Sequence, residues 1–287
     1  MRRFATGARR SHPDKLARAT PARLHPAIKA RLRAGTATLP ESVDLGSYWP
    51  SILDQNAVGA CTAHAIACCV TTAMAAAGKP LGFVPSPLCT YAATRAIERA
   101  AAIPGGTLPA LSDSGAEIAD VIAAVSTYGV RPMNAPSPLG FNSDVDTSNV
   151  LADPDGFGLE VASEKLLYGP YSVDMTQPNA SDVLAAALAS NIPIDIAFEC
   201  DDAFMQLGAG GIAVAPIAGP DDGGHSVALT GYQPLTAEQA ASVGVPAGTR
   251  AFWLTNSWGT QWATAGRVLC APSFVAALWE AWPTAIN

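Results

Sequence analysis

Two kinds of apolar pattern divide this chain. In the first half the apolar positions follow a 3.6-residue period: from Cys61 to about Ala77, Ala65, Cys68, Cys69, Thr72 and Ala76 fall on or near one face. The run stops at Gly78, with Pro80 two residues on, so it predicts a central helix. Ser86 to Ala101, with Tyr91 and Ile97 inward, and Ala116 to Tyr128, stopping at Gly129, predict two more helices. In the second half Ser181 is a good N-cap for a helix over Asp182 to Ser190. Short runs then follow at Ile192 to Phe198, Gly211 to Ala215, Ser226 to Tyr232, Ala251 to Thr255 and Gly266 to Cys270, and these predict strands. The class expected is α+β, with a helical lobe over about residues 45–165 and a small antiparallel, barrel-like β lobe over about 166–287. Arg131 to Asp174 reads as an irregular insertion and Pro234 to Arg250 as a loop between two strands.

The predicted central helix opens on a cysteine. Unpaired N–H groups and the positive end of the macrodipole favour a thiolate at that position. Gln55, six residues upstream, offers a side-chain amide that can donate to an oxyanion formed on attack of a carbonyl, with the Cys61 backbone N–H as second donor. Near the other end, Gly224-His225 precedes one strand and Asn256-Ser257-Trp258-Gly259 follows another. Adjacent strands would bring His225 and Asn256 together, giving a base for the thiol and a carbonyl to orient the imidazole. His64, one turn on from Cys61, is a rival base; it would have to reach back along its own helix, and it reads as a buried, hydrogen-bonded residue.

Gln55 with Gly59-Ala60-Cys61, Gly224-His225, and Asn256-Ser257-Trp258-Gly259 with Trp262 and Gly266 together resemble the papain-like cysteine peptidases, in a bacterial or phage-type form. Leu39 to Asp44 resembles the start of the mature enzyme, and Asp113-Ser114-Gly115-Ala116 the stretch before the third helix. The resemblance implies a two-lobed papain-like fold with the cleft between the lobes. It further implies Cys61, His225, Asn256 and Gln55 as catalytic, and Gly59, Gly115, Gly224 and Trp258 along the substrate cleft. Trp258 would shield the bond between His225 and Asn256 from water. Val58 stands where secreted members place a disulfide cysteine, Thr62 where they have an aromatic, and Ser226 where they usually have Ala. None of these changes removes a catalytic atom.

The chain has 287 residues, 49% hydrophobic and 14% charged, with no apolar run long enough to span a membrane. Its six cysteines show no metal-ligand spacing, so neither metal nor cofactor is expected. Asn142 to Asp153 superficially suggests a calcium loop, but Thr147 replaces the turn glycine, and a solvated loop is expected there, at Asp201-Asp202 and at Asp221-Asp222. No secretory signal is recognised, and the cysteine usage favours a cytoplasmic protein or one packaged from the cytoplasm into a particle.

Charge is unevenly placed. Residues 1–38 hold ten basic residues against Asp14 alone, a net of +9, while residues 39–287 carry −16. Residues 1–38 are therefore expected to form a basic arm or short propeptide ahead of a catalytic domain over 39–287, with one short helix at about Pro26 to Ala34. The arm suits an acidic surface, its own body's or an assembly partner's, better than nucleic acid or a membrane. It could cover the cleft as an extended strap, be cleaved near Leu39, or dock the chain elsewhere. Two functions compete: hydrolysis of a peptide or protein substrate, with self-processing of the arm, and a non-catalytic module serving as a structural or binding part of an assembly such as a virion.

Overall fold

The computed structural model describes residues 4–19, 24–49, 51–102, 113–133, 171–217, 219 and 223–286. In chain order its elements are β1 (Ala8–Arg9), α1 (Pro13–Arg18), α2 (Pro26–Ala34), β2 (Val43–Asp44), α3 (Cys61–Ala76), α4 (Pro87–Ala102), β3 (Ala116–Glu117) and α5 (Ile118–Tyr128). There follow α6 (Ala180–Ala189), β4 (Ile194–Cys200), α7 (Asp202–Met205), β5 (Ile212–Ala213), β6 (Gly223–Pro234), α8 (Ala237–Ser242), β7 (Arg250–Thr255), β8 (Arg267–Cys270), α9 (Pro272–Ala276) and β9 (Glu280–Pro283).

The central helix α3 is buried from Cys61 through Met74, which its composition of Ala, Cys, Val and Thr permits. It ends as expected: Gly78 takes a left-handed conformation while Lys79 N–H bonds to the Met74 carbonyl and Gly78 N–H to Ala75. With α4 and α5 it forms one core, containing Ile66, Val70, Leu88, Tyr91, Ile118, Val121 and Val125. A second core lies in the β lobe, where Leu184 and Leu188 of α6 meet Ile194, Ile196, Phe198, Leu229, Phe252 and Phe274.

Strand β6 joins the two. It pairs antiparallel with β1, β2, β4 and β7, and it packs against α3. A bulge between Leu229 and Gly231 lets the chain pass close to β2, where a side chain at Gly231 would lie 2.2 Å from the Val43 carbonyl.

Several expectations are corrected. The sheet is open rather than a closed barrel, running β3-β1-β6-β7-β8-β5 with β2, β4 and β9 branching from it, and two of its pairings are parallel. The third helix starts at Ile118, because Ala116 and Glu117 are extended to pair with β1. Asn179, not Ser181, is the N-cap of α6, which begins two residues early at Ala180. The expected loop after Pro234 contains α8, closed by a capping box between Thr236 and Gln239. Asp201 is buried and caps α7 by accepting from Phe204 N–H, so it is no solvated loop residue. The calcium-like stretch at 142–153 and Asp221-Asp222 lie outside the described residues.

The N-terminal arm is fastened at two places. Its α2 has the expected bounds and buries Ile28 in the β-lobe core, with Arg31 Nε bonding to Ser190 Oγ at 3.1 Å. Its first segment, residues 4–18, lies across the junction of the lobes through β1. Among the described residues no helix is long and apolar enough to cross a membrane.

Candidate active site

Cys61 is the first residue of α3, and Ala60 before it makes no side-chain cap, so N–H groups at this helix end are not engaged by a capping side chain. The sulfur is fully buried against the backbone N–H groups of Ser226, Thr62 and Gly7. Two of these come from elsewhere in the chain: Ser226 follows His225 on β6, and Gly7 belongs to the arm. Burial pushes the Cys61 thiol up to about 12; the backbone donors oppose that shift, and buried Asp195 adds to it.

His225 is also fully buried. Its Nε2 lies 2.8 Å from Asn256 Oδ1, an acceptor, so Nε2 carries the proton and Nδ1 is the basic nitrogen. Nδ1 has no hydrogen-bond partner. Asn256 sits just beyond β7, paired to β6, and its Oδ1 also accepts from Ser257 N–H at 2.7 Å. The Trp258 ring stacks on His225 with centroids 4.4 Å apart. Burial is the main reason that His225 falls to about 4, with the Asn256 bond acting the other way.

Gln55 is held by a residue the sequence reading did not single out. Ser257 Oγ donates to Gln55 Oε1 at 2.6 Å, which turns the NH₂ of Gln55 toward the cleft. That NH₂ donates to Val58 O at 2.9 Å and to Ala5 O of the arm at 3.1 Å. Trp258 Nε1 donates to the same Ala5 carbonyl at 3.3 Å, and the Phe4 ring stacks on Trp258 at 4.5 Å. His64 bonds through Nδ1 to the Ala60 carbonyl at 2.9 Å, and burial lowers it to about 4.

The glycines expected along the cleft meet the arm directly. Gly115, left-handed at φ 73°, has no room for a side chain, since a Cβ there would fall 1.8 Å from the Gly7 carbonyl. At Gly224 the corresponding distance is 2.0 Å to the Ala8 carbonyl. Gly7 N–H bonds to Gly224 O at 2.9 Å, and Ala116 N–H to Gly7 O at 2.8 Å. Asp113 accepts from Gly59 N–H at 3.1 Å and from Tyr91 Oη–H at 2.7 Å, while Tyr91 Oη accepts from Gly115 N–H at 3.0 Å. Asp113 and Tyr91 thus tie the rim at Gly115 to the loop before Cys61, and no local sequence pattern marks that link.

Residues 163–272, which include His225 and Asn256, match the family model described as papain family cysteine protease. That segment is similar to the papain-family domain, and the fold in which it sits is papain-like. The family is one of hydrolases. An uncharacterized peptidase C1-like protein of Acanthamoeba polyphaga mimivirus is 25% identical over 236 residues, which is 80% of this chain and 64% of that protein. The chain therefore spans less than two thirds of that relative's length. Among solved structures, xylellain, a cysteine protease from Xylella fastidiosa, superposes with a TM-score of 0.67 at 22% identity, covering 100% of this chain and 99% of its own. Procathepsin B from Trypanosoma congolense gives 0.61 at 17% identity over 99% and 87%. At these identities the papain-like domain is shared as a fold.

Proposed function

We propose that the chain is a cysteine peptidase held as an inactive precursor by residues 4–18 of its own arm. The observation that carries this is the grip of Gln55 Nε2 and Trp258 Nε1 on one arm carbonyl, Ala5, beside Cys61 and the His225–Asn256 pair. Gln55 is one of the two donors expected to meet a substrate oxyanion, and Trp258 is the expected shield of the His225–Asn256 bond.

In the open enzyme Cys61 gives its proton to His225 Nδ1 and its sulfur attacks the carbonyl carbon of a peptide bond. The negative charge on the oxygen is met by Gln55 and the Cys61 N–H. His225 then passes the proton to the leaving amine, the C–N bond breaks, and a thioester forms at Cys61. Water, deprotonated by His225, hydrolyses it. Asn256 keeps the proton on Nε2 throughout.

His225 must reach the leaving nitrogen, so the part of a substrate after the scissile bond lies toward His225 and Trp258, and the part before it runs along Gly115 and Ala116. The arm is threaded the other way. Phe4 lies on Trp258, and the later Ala8 pairs with Ala116. A backward chain does not offer its leaving nitrogen to His225 and can stay in place uncut. The burial that drives Cys61 up and His225 down then favours neutral thiol and neutral imidazole at rest. Uncovering the site rehydrates both groups and favours the thiolate–imidazolium pair.

The test is intact mass after treatment with a peptide epoxide that alkylates cysteine, before and after the arm is cut at a protease sequence inserted between α1 and α2, with Cys61→Ala alongside. Labelling confined to Cys61 and released by cutting, with peptide hydrolysis in the parent alone, is the expected result. A cut chain that neither labels nor hydrolyses would assign a non-catalytic module instead.

A further inference from the structure

Resting on the peptidase reading, we infer that the enzyme selects peptides with a basic residue about three or four positions before the scissile bond. The arm is a mould of that half of the cleft. Its Arg9 pairs with Glu98 of α4, and its Lys15 Nζ lies 2.8 Å from Glu117 Oε2 and 2.7 Å from Asp120 Oδ2. The backbone adds His12 N–H to Glu117 at 3.0 Å and Ser11 N–H to Glu280 at 2.7 Å, while the Arg10 guanidinium sits 4.3 Å over the Trp279 ring.

Beneath the arm, among the described residues, the acids have one cation of their own. Arg95 pairs with Glu98 and donates to the Gly115 carbonyl at 2.9 Å. Among the described residues Glu98, Glu117 and Asp120 stand against it, a net of two negative charges once the arm leaves. Arg9 and Lys15 supply two positive ones. With the arm in place the acids are nearly dry: side-chain exposure is 11% for Glu98, 14% for Glu117 and 7% for Asp120. A neutral peptide drawn over them would cover charge without partnering it, whereas Arg or Lys would replace the arm's own contacts.

The position follows from the register. Arg9 is opposite Glu117 in the β1–β3 pairing, four residues along from Ala5, whose carbonyl occupies the Gln55 donor. At ~3.3 Å per extended residue, a substrate running the opposite way reaches Glu117 about three or four residues before its scissile carbonyl. Glu98 and Glu117 are joined through Glu117 N–H to Glu98 Oε1 at 3.1 Å, so the two act on one substrate side chain as a fixed pair.

The experiment uses the full chain, folded with its arm, carrying Cys61→Ala and a site-specific protease sequence inserted between Ala19 and Leu24; it is cut and the segment before the cut is washed off in high salt, while Ile28 keeps α2 in its seat. Two fluorescent peptides, identical except for Arg or norleucine four residues before the scissile bond, are titrated by polarisation at low ionic strength. The Arg peptide is expected to bind roughly tenfold tighter. That ratio should fall toward one in 0.5 M salt and in E117Q/D120N. Equal affinities, or no binding by either peptide, overturn the inference without depending on E117Q/D120N. The same pair is offered to the cut chain with Cys61 intact: a binding preference without cleavage sinks the peptidase reading and leaves the basic-peptide surface standing, while cleavage indifferent to Arg does the reverse.

Discussion

Gly7→Ala tests the occluding arm with a change outside the catalytic residues. A methyl group at Gly7 would lie 2.3 Å from the Gly59 carbonyl oxygen and 2.6 Å from its Cα, both backbone atoms that cannot swing aside. The arm must therefore lift. Lifting it breaks Gly7 N–H to Gly224 O, Ala116 N–H to Gly7 O, and the two bonds that Gln55 and Trp258 make to Ala5, together with the Phe4–Trp258 stack. At about 1 kcal/mol net for each of these hydrogen bonds and about 1 for the stack, the loss is about 5 kcal/mol. With tenfold for each 1.4 kcal/mol, the uncovered population rises on the order of a thousandfold. The assay is the second-order rate of Cys61 alkylation by a peptide epoxide in the intact, uncut chain. G7A should label at least ~100-fold faster than the parent. Gly208→Ala, where a methyl meets nothing within 4 Å, should leave the rate unchanged. Equal rates for G7A and the parent would refute the reasoning, because a clash with backbone at the heart of the contact would then have had no effect on access.

Other outcomes follow from the same contacts. Gln55→Ala removes the side-chain oxyanion donor and should lower kcat by ~10²–10³ with little change in KM, read from steady-state peptide hydrolysis by the cut enzyme. Burial pushes Glu117 up, but Lys15, the His12 N–H and Arg9 outweigh it and hold the carboxyl below its ordinary value near 4.5. Its stabilisation of the docked arm is thus complete above that value and is lost as pH falls through the lowered one, so Cys61 labelling of the intact chain should rise below about pH 4.5 in the parent. Glu98, raised by burial, acts in the opposite sense, so the diagnostic result is the loss of this step in Glu117→Gln. Ser226→Ala strips buried Asp195 of the Ser226 hydroxyl at 2.6 Å while its Oδ2 already lacks a partner; a loss of ~1–3 kcal/mol should appear as a lower Tm in thermal melts.

The residues of the candidate site were legible because they sit on local signals. Cys61 opens a periodic run, and His225 and Asn256 flank apolar runs whose pairing as β6 and β7 is the simplest connection between neighbours in sequence. Helix α3 stops at Gly78 as its pattern indicates. The arm was legible in charge but not in conformation: Ala8 and Arg9 carry no strand pattern and become β1 only because Ala116 and Gly224 wait for them more than a hundred residues away. The third helix lost its first two residues to that pairing. The links made by Asp113, Tyr91 and Ser257 were not legible for a related reason, since they are hydrogen bonds to distant backbone or side chains that no spacing rule marks. The capping box at Thr236 and Gln239 was readable and marks α8 inside what the Pro-bounded stretch suggested was a loop.

The two fastenings of the arm give it the mechanics of a latch on a hinge. On the reading proposed above, residues 4–18 leave the cleft while Ile28 keeps α2 seated in the β-lobe core. A segment so tethered meets its own site at an effective concentration of order millimolar, so contacts too weak to hold a free peptide suffice to keep the cleft shut. Opening is then reversible until the chain is cut between latch and hinge. A single cut there converts the same contacts from intramolecular closure into a weak, dilutable inhibitor.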